Sequence, residues 1–236
     1  MLNLSIIIPA YNEEHRIQKT LEKIINYLKR KKYDYEIIIV DDGSKDNTIN
    51  VIKNIKDKKI KILKNEINRG KGYSVKKGIL NAKKDWILFS DADLSTPIEE
   101  LDNFTKYLDY DIIIGSRNLK ESNIMIHQPF YRAYPGKIFS YLVRLITIRG
   151  IKDTQCGFKL FKKEVAHKIF NKQTIDRWGF DVELMYIAHK YKYKIKELPV
   201  IWLNDEKTKL NLFKDSIRMF LDLIKIRIND LKGLYN

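Results

Sequence analysis

Trp86-Ile87-Leu88-Phe89-Ser90-Asp91-Ala92-Asp93 is the stretch that decides how this chain reads. An apolar run of strand length stops at two carboxylates one residue apart, which puts Asp91 and Asp93 at a strand's carboxyl end. Open α/β sheets bind their ligands at that edge. Oxygen-only ligands suit a hard divalent cation, Mg²⁺ or Mn²⁺, whose shell is completed by water and substrate phosphates. The pair therefore suggests metal-diphosphate chemistry. The same residues also suit a solvated turn, so the flanking sequence has to choose.

Upstream, strand and helix patterns alternate. Leu4 to Ile8 reads as a buried strand ended by Pro9. Glu13 to Lys32 carries Ile17, Leu21, Ile24, Ile25 and Leu28 at helical spacing. Strands are expected at Glu36 to Val40, Ile60 to Leu63, Trp86 to Ser90 and Asp111 to Gly115. Helices are expected at Asn47 to Ile55 and Lys71 to Lys83. Such alternation implies parallel βαβ units with right-handed crossovers. No internal repeat or low-complexity linker divides the chain, so residues 1–236 read as a single α/β domain.

The second half has another texture. Phe130 to Arg149 reads as an aromatic-rich helix carrying Lys137, Arg144 and Arg149. Further helices are expected at Lys162 to Phe170 and Phe180 to Tyr191. Ile195 to Leu203 reads as a strand that Pro199 makes irregular or edge-bound. Leu212 to Leu231 sets Phe213, Ile217, Phe220, Leu221, Ile224, Ile228 and Leu231 on one face, with Lys214, Arg218, Lys225 and Arg227 opposite. Its plain reading is a helix capping the sheet; its sharper reading is contact with a membrane surface.

Bulk properties narrow the field. The chain has 236 residues, 44% of them hydrophobic, so it can bury a full core. Cys156 is the single cysteine, which excludes an intrachain disulfide and fits a reducing compartment. The first nine residues lack the basic n-region and the long apolar run of a secretory signal. The net charge of +15 attracts polyanions such as anionic lipid, nucleic acid or phosphorylated substrates. No helix-turn-helix, zinc-finger, RRM or KH signature accompanies it, so nucleic acid is not expected as a partner. The four histidines show no metal-ligand spacing.

Other strand ends carry candidate chemistry. After the first strand, Tyr11 and Glu13 offer a stacking surface and a polar edge for a nucleotide; the string equally suits a turn with Asn12 as cap. After the second, Asp41 or Asp42 can accept from a base N–H, or cap the next helix. Asn68-Arg69-Gly70-Lys71-Gly72 opens a helix where glycine allows close backbone approach and Lys71 brings charge to a phosphate. Its spacing is neither a P-loop nor a dinucleotide fingerprint. Gly115-Ser116-Arg117 follows the fifth strand, and Arg117, Arg132 and Lys159 together can clamp an anion beside the metal. The strings Asp153 to Lys159 and Arg177 to Glu183 show no regular period; a buried Asp or Glu there, such as Asp153 or Asp181, can act as base or orienting group. Cys156 reads as a packed residue.

These residues resemble a known family. Residues 7–14 (Ile-Ile-Pro-Ala-Tyr-Asn-Glu-Glu), 40–44 (Val-Asp-Asp-Gly-Ser), 68–72 (Asn-Arg-Gly-Lys-Gly), 91–93 (Asp-Ala-Asp) and 115–117 (Gly-Ser-Arg) look like the family 2 glycosyltransferases of GT-A fold. Residues 153–161 (Asp-Thr-Gln-Cys-Gly-Phe-Lys-Leu-Phe) and 177–184 (Arg-Trp-Gly-Phe-Asp-Val-Glu-Leu) are similar to the branch that glucosylates dolichyl phosphate. The resemblance implies a Rossmann-like, mostly parallel sheet flanked by helices, with C-terminal amphipathic helices. It further implies a nucleotide-sugar-binding half (1–117) and an acceptor- and membrane-facing half (118–236). The implied activity is inverting transfer of a hexose, glucose from UDP-glucose, to a polyprenyl phosphate. The alternatives are a GDP-mannose donor or a saccharide acceptor. By similarity, Pro9, Ala10, Tyr11, Glu13 and Asp42 hold the nucleoside, with Asp41 and Lys71 nearby. The Asp91-Ala92-Asp93 turn holds Mg²⁺ or Mn²⁺ through its carboxylates. Arg117, Arg132 and Lys159 hold phosphates. The expected location is peripheral, on the cytoplasmic face of a membrane, with a homo-oligomer left open.

Overall fold

The computed structural model describes residues 2–125, 141–148, 150–203 and 212–236, without the side chains of Leu212, Phe213, Lys214 and Ser216. Strand β1 (Asn3–Ala10), helix α1 (Ile17–Arg30), β2 (Asp34–Asp41), α2 (Thr48–Lys53), β3 (Ile60–Lys64), α3 (Lys71–Leu80) and β4 (Trp86–Ser90) follow in order. A short helical stretch contains α4 (Leu101–Phe104), and β5 (Ile112–Ser116) and β6 (Asn123–Ile124) come next. Residues 141–146 form the helical turn α5. Then come β7 (Phe158–Lys162), α6 (Lys163–Lys172), α7 (Phe180–Lys190), β8 (Ile195–Pro199), β9 (Ile201–Trp202) and α8 (Leu212–Leu231).

Seven strands form one sheet in the order β3-β2-β1-β4-β7-β5-β8. β1, β2, β3 and β4 pair in parallel, as do β5 and β8, while β7 runs antiparallel between β4 and β5. The chain builds outward from β1 to β3, then returns to place β4 on the other side of β1. That reversal of direction is the topological switch point, and its crevice opens at the carboxyl ends of β1 and β4.

The alternating side chains of the strands feed two cores. Ile37 and Ile39 face one with Leu21 and Ile24 of α1 and Phe104 of α4. Ile38 and Val40 face the other with Val75 of α3, Ile169 of α6 and Met185 of α7. A sheet covered on both sides reads as continuous apolar runs, which is why β1, β2, β4 and β5 are so plain in the sequence.

Two expectations need correction. The string from Asp153 hides a strand: Phe158–Lys162 is β7, four of its five residues buried. Phe158 and Leu160 serve one core and Phe161 the other, and the charge of Lys159 among them breaks the apolar signal. The strand expected over 195–203 is two strands in different sheets. β8 ends at Pro199, which has no N–H to continue a ladder, and β9 pairs with β6 instead. Among the described residues no helix is long and apolar enough to cross a membrane.

Candidate active site

At the switch point the ends of β1, β2 and β4 converge. The Asp91 N–H donates to the Gly157 carbonyl at 3.1 Å, binding the acidic turn to the approach of β7. A Cβ on Gly157 would lie 1.9 Å from Asp91 Oδ2, so any other residue there would have to displace that carboxylate from its place beside Lys71. Leu94 takes a left-handed φ of 47°. That sharp turn brings the Ser95 N–H to Asp93 Oδ1 at 2.9 Å. Lys71, the first residue of α3, reaches Asp91 Oδ1 at 2.7 Å. Burial alone would push the Lys71 ammonium down, but Asp91 and Asp181 hold it above its ordinary value. Burial, reinforced by the charge of Asp91, pushes the Asp93 carboxyl up.

These observations test the site's fit to a metal. Two oxygen ligands sit close enough that one raises the other's proton affinity, which an added cation relieves. Among the described residues no set of three or more His, Cys, Asp or Glu side chains forms a closed cage. An all-oxygen, open donor set fits a hard cation held jointly by protein and diphosphate. A cleft of about 90 Å³ adjoins the pair, lined by Asp91, Asp93, Ser95, Arg117, Gln155 and Trp202.

The two aspartates after β2 have different partners. Asp42 accepts from Asn65 Nδ2 at 2.8 Å, Arg69 N at 2.9 Å and Gly70 N at 2.8 Å, so its carboxylate holds the loop that launches α3. In this conformation both its oxygens are engaged within the chain. Asp41 Oδ2 accepts from Ser44 N at 3.2 Å, whereas its Oδ1 is buried and has no partner among the described residues. Buried carboxylate oxygens ordinarily find a donor. Pro9 and Ala10 pair in register with Val40 and Asp41, and Tyr11 follows at the same edge, half-buried. Glu13 is ion-paired with Arg16 and takes its place through a 2.7 Å bond from its N–H to Thr48 Oγ1. Ala92 is buried and its carbonyl accepts from Thr20 Oγ1 at 2.6 Å, anchoring the acidic turn to α1.

The expected anion clamp divides. Arg117 forks onto Asp153, Nε to Oδ2 at 2.7 Å and Nη2 to Oδ1 at 2.9 Å, and lines the cleft beside Trp202. Burial would push Asp153 up, but the guanidinium holds it below the usual carboxylate range. Lys159 is 0% exposed, donating to Cys156 O at 2.6 Å and Asp181 Oδ1 at 2.5 Å. Its cation thus meets the site through Asp181, whose own carboxyl burial pushes up against the pull of Lys159 and Lys71. Arg132 lies outside the described residues.

Glycines 70 and 72 also have a task within the chain, each letting the backbone approach another segment closely. A Cβ on Gly70 would stand 2.6 Å from the Asp176 carbonyl, and one on Gly72 2.7 Å from Phe180 Cβ. Gly70 also has a φ of 110°, open to glycine alone. The segment they meet is fastened by Glu183, fully buried in α7. It accepts from Thr174 N at 3.0 Å, Thr174 Oγ1 at 2.6 Å, Ile175 N at 2.9 Å and Tyr235 OH at 2.6 Å. Trp178 follows, its ring 5.5 Å from Lys71 Nζ. Sequence reasoning missed Trp178, Trp202, Arg16 and Gly157 as site-building residues, and it marked a buried Glu in the 177–183 string without its partners. The adjoining unpatterned strings marked the regions, but only tertiary contact gives each residue its task.

The model of the family described as "Glycosyl transferase family 2" matches residues 5–170. The dolichyl-phosphate β-glucosyltransferase of Dictyostelium discoideum is 39% identical, over 98% of this chain and 76% of that protein. The Homo sapiens protein of the same name is 37% identical, over 98% and 77%. Among solved structures, mannosyl-3-phosphoglycerate synthase from Rubrobacter xylanophilus superposes with a TM-score of 0.69 at 15% identity, over 98% of this chain and 74% of that one. A mannosyltransferase from Pyrobaculum calidifontis, in complex with GDP-Man and Mn²⁺, gives 0.59 at 15%, over 97% and 70%. These folds are GT-A, and this chain shares it.

Proposed function

Because the chain belongs to the family 2 glycosyltransferases, we propose that it moves glucose from UDP-glucose to the phosphate of a polyprenyl, dolichyl-type lipid, inverting the anomeric centre with the help of a divalent cation. The observation that carries this reading is one cleft that joins carboxylates and a guanidinium. Asp91, paired with Lys71, and Asp93 line it together with Arg117, which is forked onto Asp153. The names of the relatives support the lipid phosphate and the glucose.

In the proposed reaction an oxygen of the acceptor phosphate attacks the anomeric carbon. The bond from that carbon to the diphosphate breaks, and its electron pair leaves with UDP. A phosphate monoester has a second pKa of about 6, so the acceptor is mostly dianionic at neutral pH and needs no strong general base. The work left to the protein is bringing two anions together. The unpartnered Oδ1 of Asp41 supports recognition of a base N–H, with Pro9, Ala10, Tyr11 and Glu13 around it and Asp42 shaping the loop. Lys71 sits where it can share the diphosphate's charge. Arg117 orients the incoming phosphate, joined by Arg132. Asp153 and Asp181 act as positioning residues through Arg117 and Lys159. A Mg²⁺ or Mn²⁺ ion held by Asp91 and Asp93 would neutralise charge growing on the leaving diphosphate.

A lipid-borne acceptor requires work at a bilayer, and we propose a peripheral position on its cytoplasmic face. The single cysteine, Cys156, is compatible with a reducing compartment. A donor panel tests the reading. With polyprenyl phosphate present, label from UDP-glucose is expected in the extracted lipid and label from GDP-mannose is not. The reverse pattern would replace glucose by mannose, and transfer only to free saccharides would remove the lipid acceptor.

A further inference from the structure

Helix α8 presents its apolar stripe outward. At 3.6 residues per turn, Phe220, Leu231, Ile224, Ile217, Ile228 and Leu221 fall within an arc of about 100°. All six are exposed, Leu221 at 55% and Leu231 at 85%. The opposite face carries Met219, Leu223 and Ile226 into the core. The face whose periodicity suggested a sheet cap is therefore the one turned away from the sheet. Folded single chains seldom leave so continuous an apolar strip uncovered.

The charges around the strip are sorted. Arg218 and Lys225 border one side and Arg227 the other, all exposed. The acids of the helix, Asp215, Asp222 and Asp230, turn to the core side; Asp215 is buried and the other two half-buried. Asp230 is tied to Lys190, with its other oxygen accepting from Tyr186 OH at 2.6 Å. An apolar arc bordered by cations and free of acids matches the boundary between acyl chains and anionic headgroups. A second copy fits poorly. Apposing two such strips sets cationic borders against each other in a chain already at +15.

We propose that the outward face of α8 is a docking surface for anionic bilayers; its choice of a lipid partner rests on the lipid-acceptor reading above. The test uses the full chain and vesicles free of polyprenyl phosphate, so that acceptor binding plays no part. Vesicles containing phosphatidylserine should sediment the protein, phosphatidylcholine alone should retain much less, and roughly 0.5 M salt should weaken binding about ten-fold. The double substitution Leu221→Glu with Ile224→Glu should lower the vesicle-bound ratio about ten-fold or more. Arg218→Glu with Lys225→Glu should abolish the preference for the anionic vesicle.

Both variants alter exposed side chains, so their transfer to a short-chain, water-soluble acceptor should match the parent. The Leu221→Glu/Ile224→Glu protein should also keep the parent's melting temperature, whereas the Arg218→Glu/Lys225→Glu protein should melt somewhat lower because these two cations offset the burial of Asp222. Equal vesicle binding by parent and variants overturns the proposal, as does absence of binding by the parent. A lipid-free dimer in sedimentation velocity that the Glu variants dissolve would reassign the strip to a second copy. Loss of transfer to the soluble acceptor in the parent, with vesicle binding intact, would instead remove the lipid-phosphate reading and leave the docking surface standing.

Discussion

The two halves of this molecule solve different problems. Up to about Arg117 each βαβ unit delivers one polar strand end to a shared edge, and the loops between are stitched by backbone N–H bonds to side chains such as Asn12 N to Ser44 Oγ at 2.9 Å. Beyond it, order comes from charged side chains with fixed partners: Arg117 with Asp153, Lys159 with Asp181, Glu183 with the 174–175 backbone and Tyr235. Where regular crossovers position a ligand edge, the backbone does most of the placing. Where a strand is inserted antiparallel, buried charge has to place the chain. Buried charge tolerates the loss of a partner badly.

That contrast makes predictions of unequal size. The largest concerns the first half: Asp93→Asn should lower transfer by about 10³-fold. It should leave the melting temperature level or higher, since burial and Asp91 already disfavour the charged carboxylate. A large loss of stability would mean that Asp93 builds the fold. The second half should answer in the other currency. Asp153→Asn leaves the Arg117 guanidinium without its counter-charge, and denaturant midpoints should report about 3–5 kcal/mol lost. Glu183→Gln keeps shape but removes the charge from a cluster of four donors; about 1–3 kcal/mol is expected. Because that cluster carries Trp178 to Lys71, KM for the donor should rise beyond what the stability change explains.

The smallest effect lies on α8. Burial, countered by Lys225 and Arg218, pushes the Asp222 carboxyl up to about 6. Its folded value lies above the unfolded value of about 3.9. The associated stability is therefore fully present below pH of about 4 and lost as pH rises through about 6. Asp222→Asn should stabilise by roughly 1 kcal/mol at pH 8, after allowance for solvent screening, and by nothing near pH 4. Thermal melts of both proteins across that range check the sign.

The same contrast explains what could be read from sequence. Leu4 to Ile8 and Trp86 to Ser90 are plain because a doubly covered parallel strand must be apolar throughout. Leu212 to Leu231 matched the observed helix, yet the environment of its apolar face was not legible, since periodicity marks a face without saying what meets it. β7 was invisible because Lys159 interrupts it, and the reason for a charge there lies 22 residues away in Asp181. The tasks of Asp41 and Asp42 depend on which donor each meets in space. Gly70 and Gly72 look alike whether they face a phosphate or the chain's own Phe180.

The central claim is that the acidic turn after β4 handles the departing nucleotide while a lipid phosphate takes the sugar. It is tested most directly by incubating the chain with labelled UDP-glucose and vesicle-borne polyprenyl phosphate, then extracting the lipid. Label should enter the lipid with Mg²⁺ or Mn²⁺, vanish on chelation and return when the ion is restored, and stay absent for Asp93→Asn throughout. Undiminished labelling of lipid under chelation, or by the Asp93→Asn protein, would contradict the account.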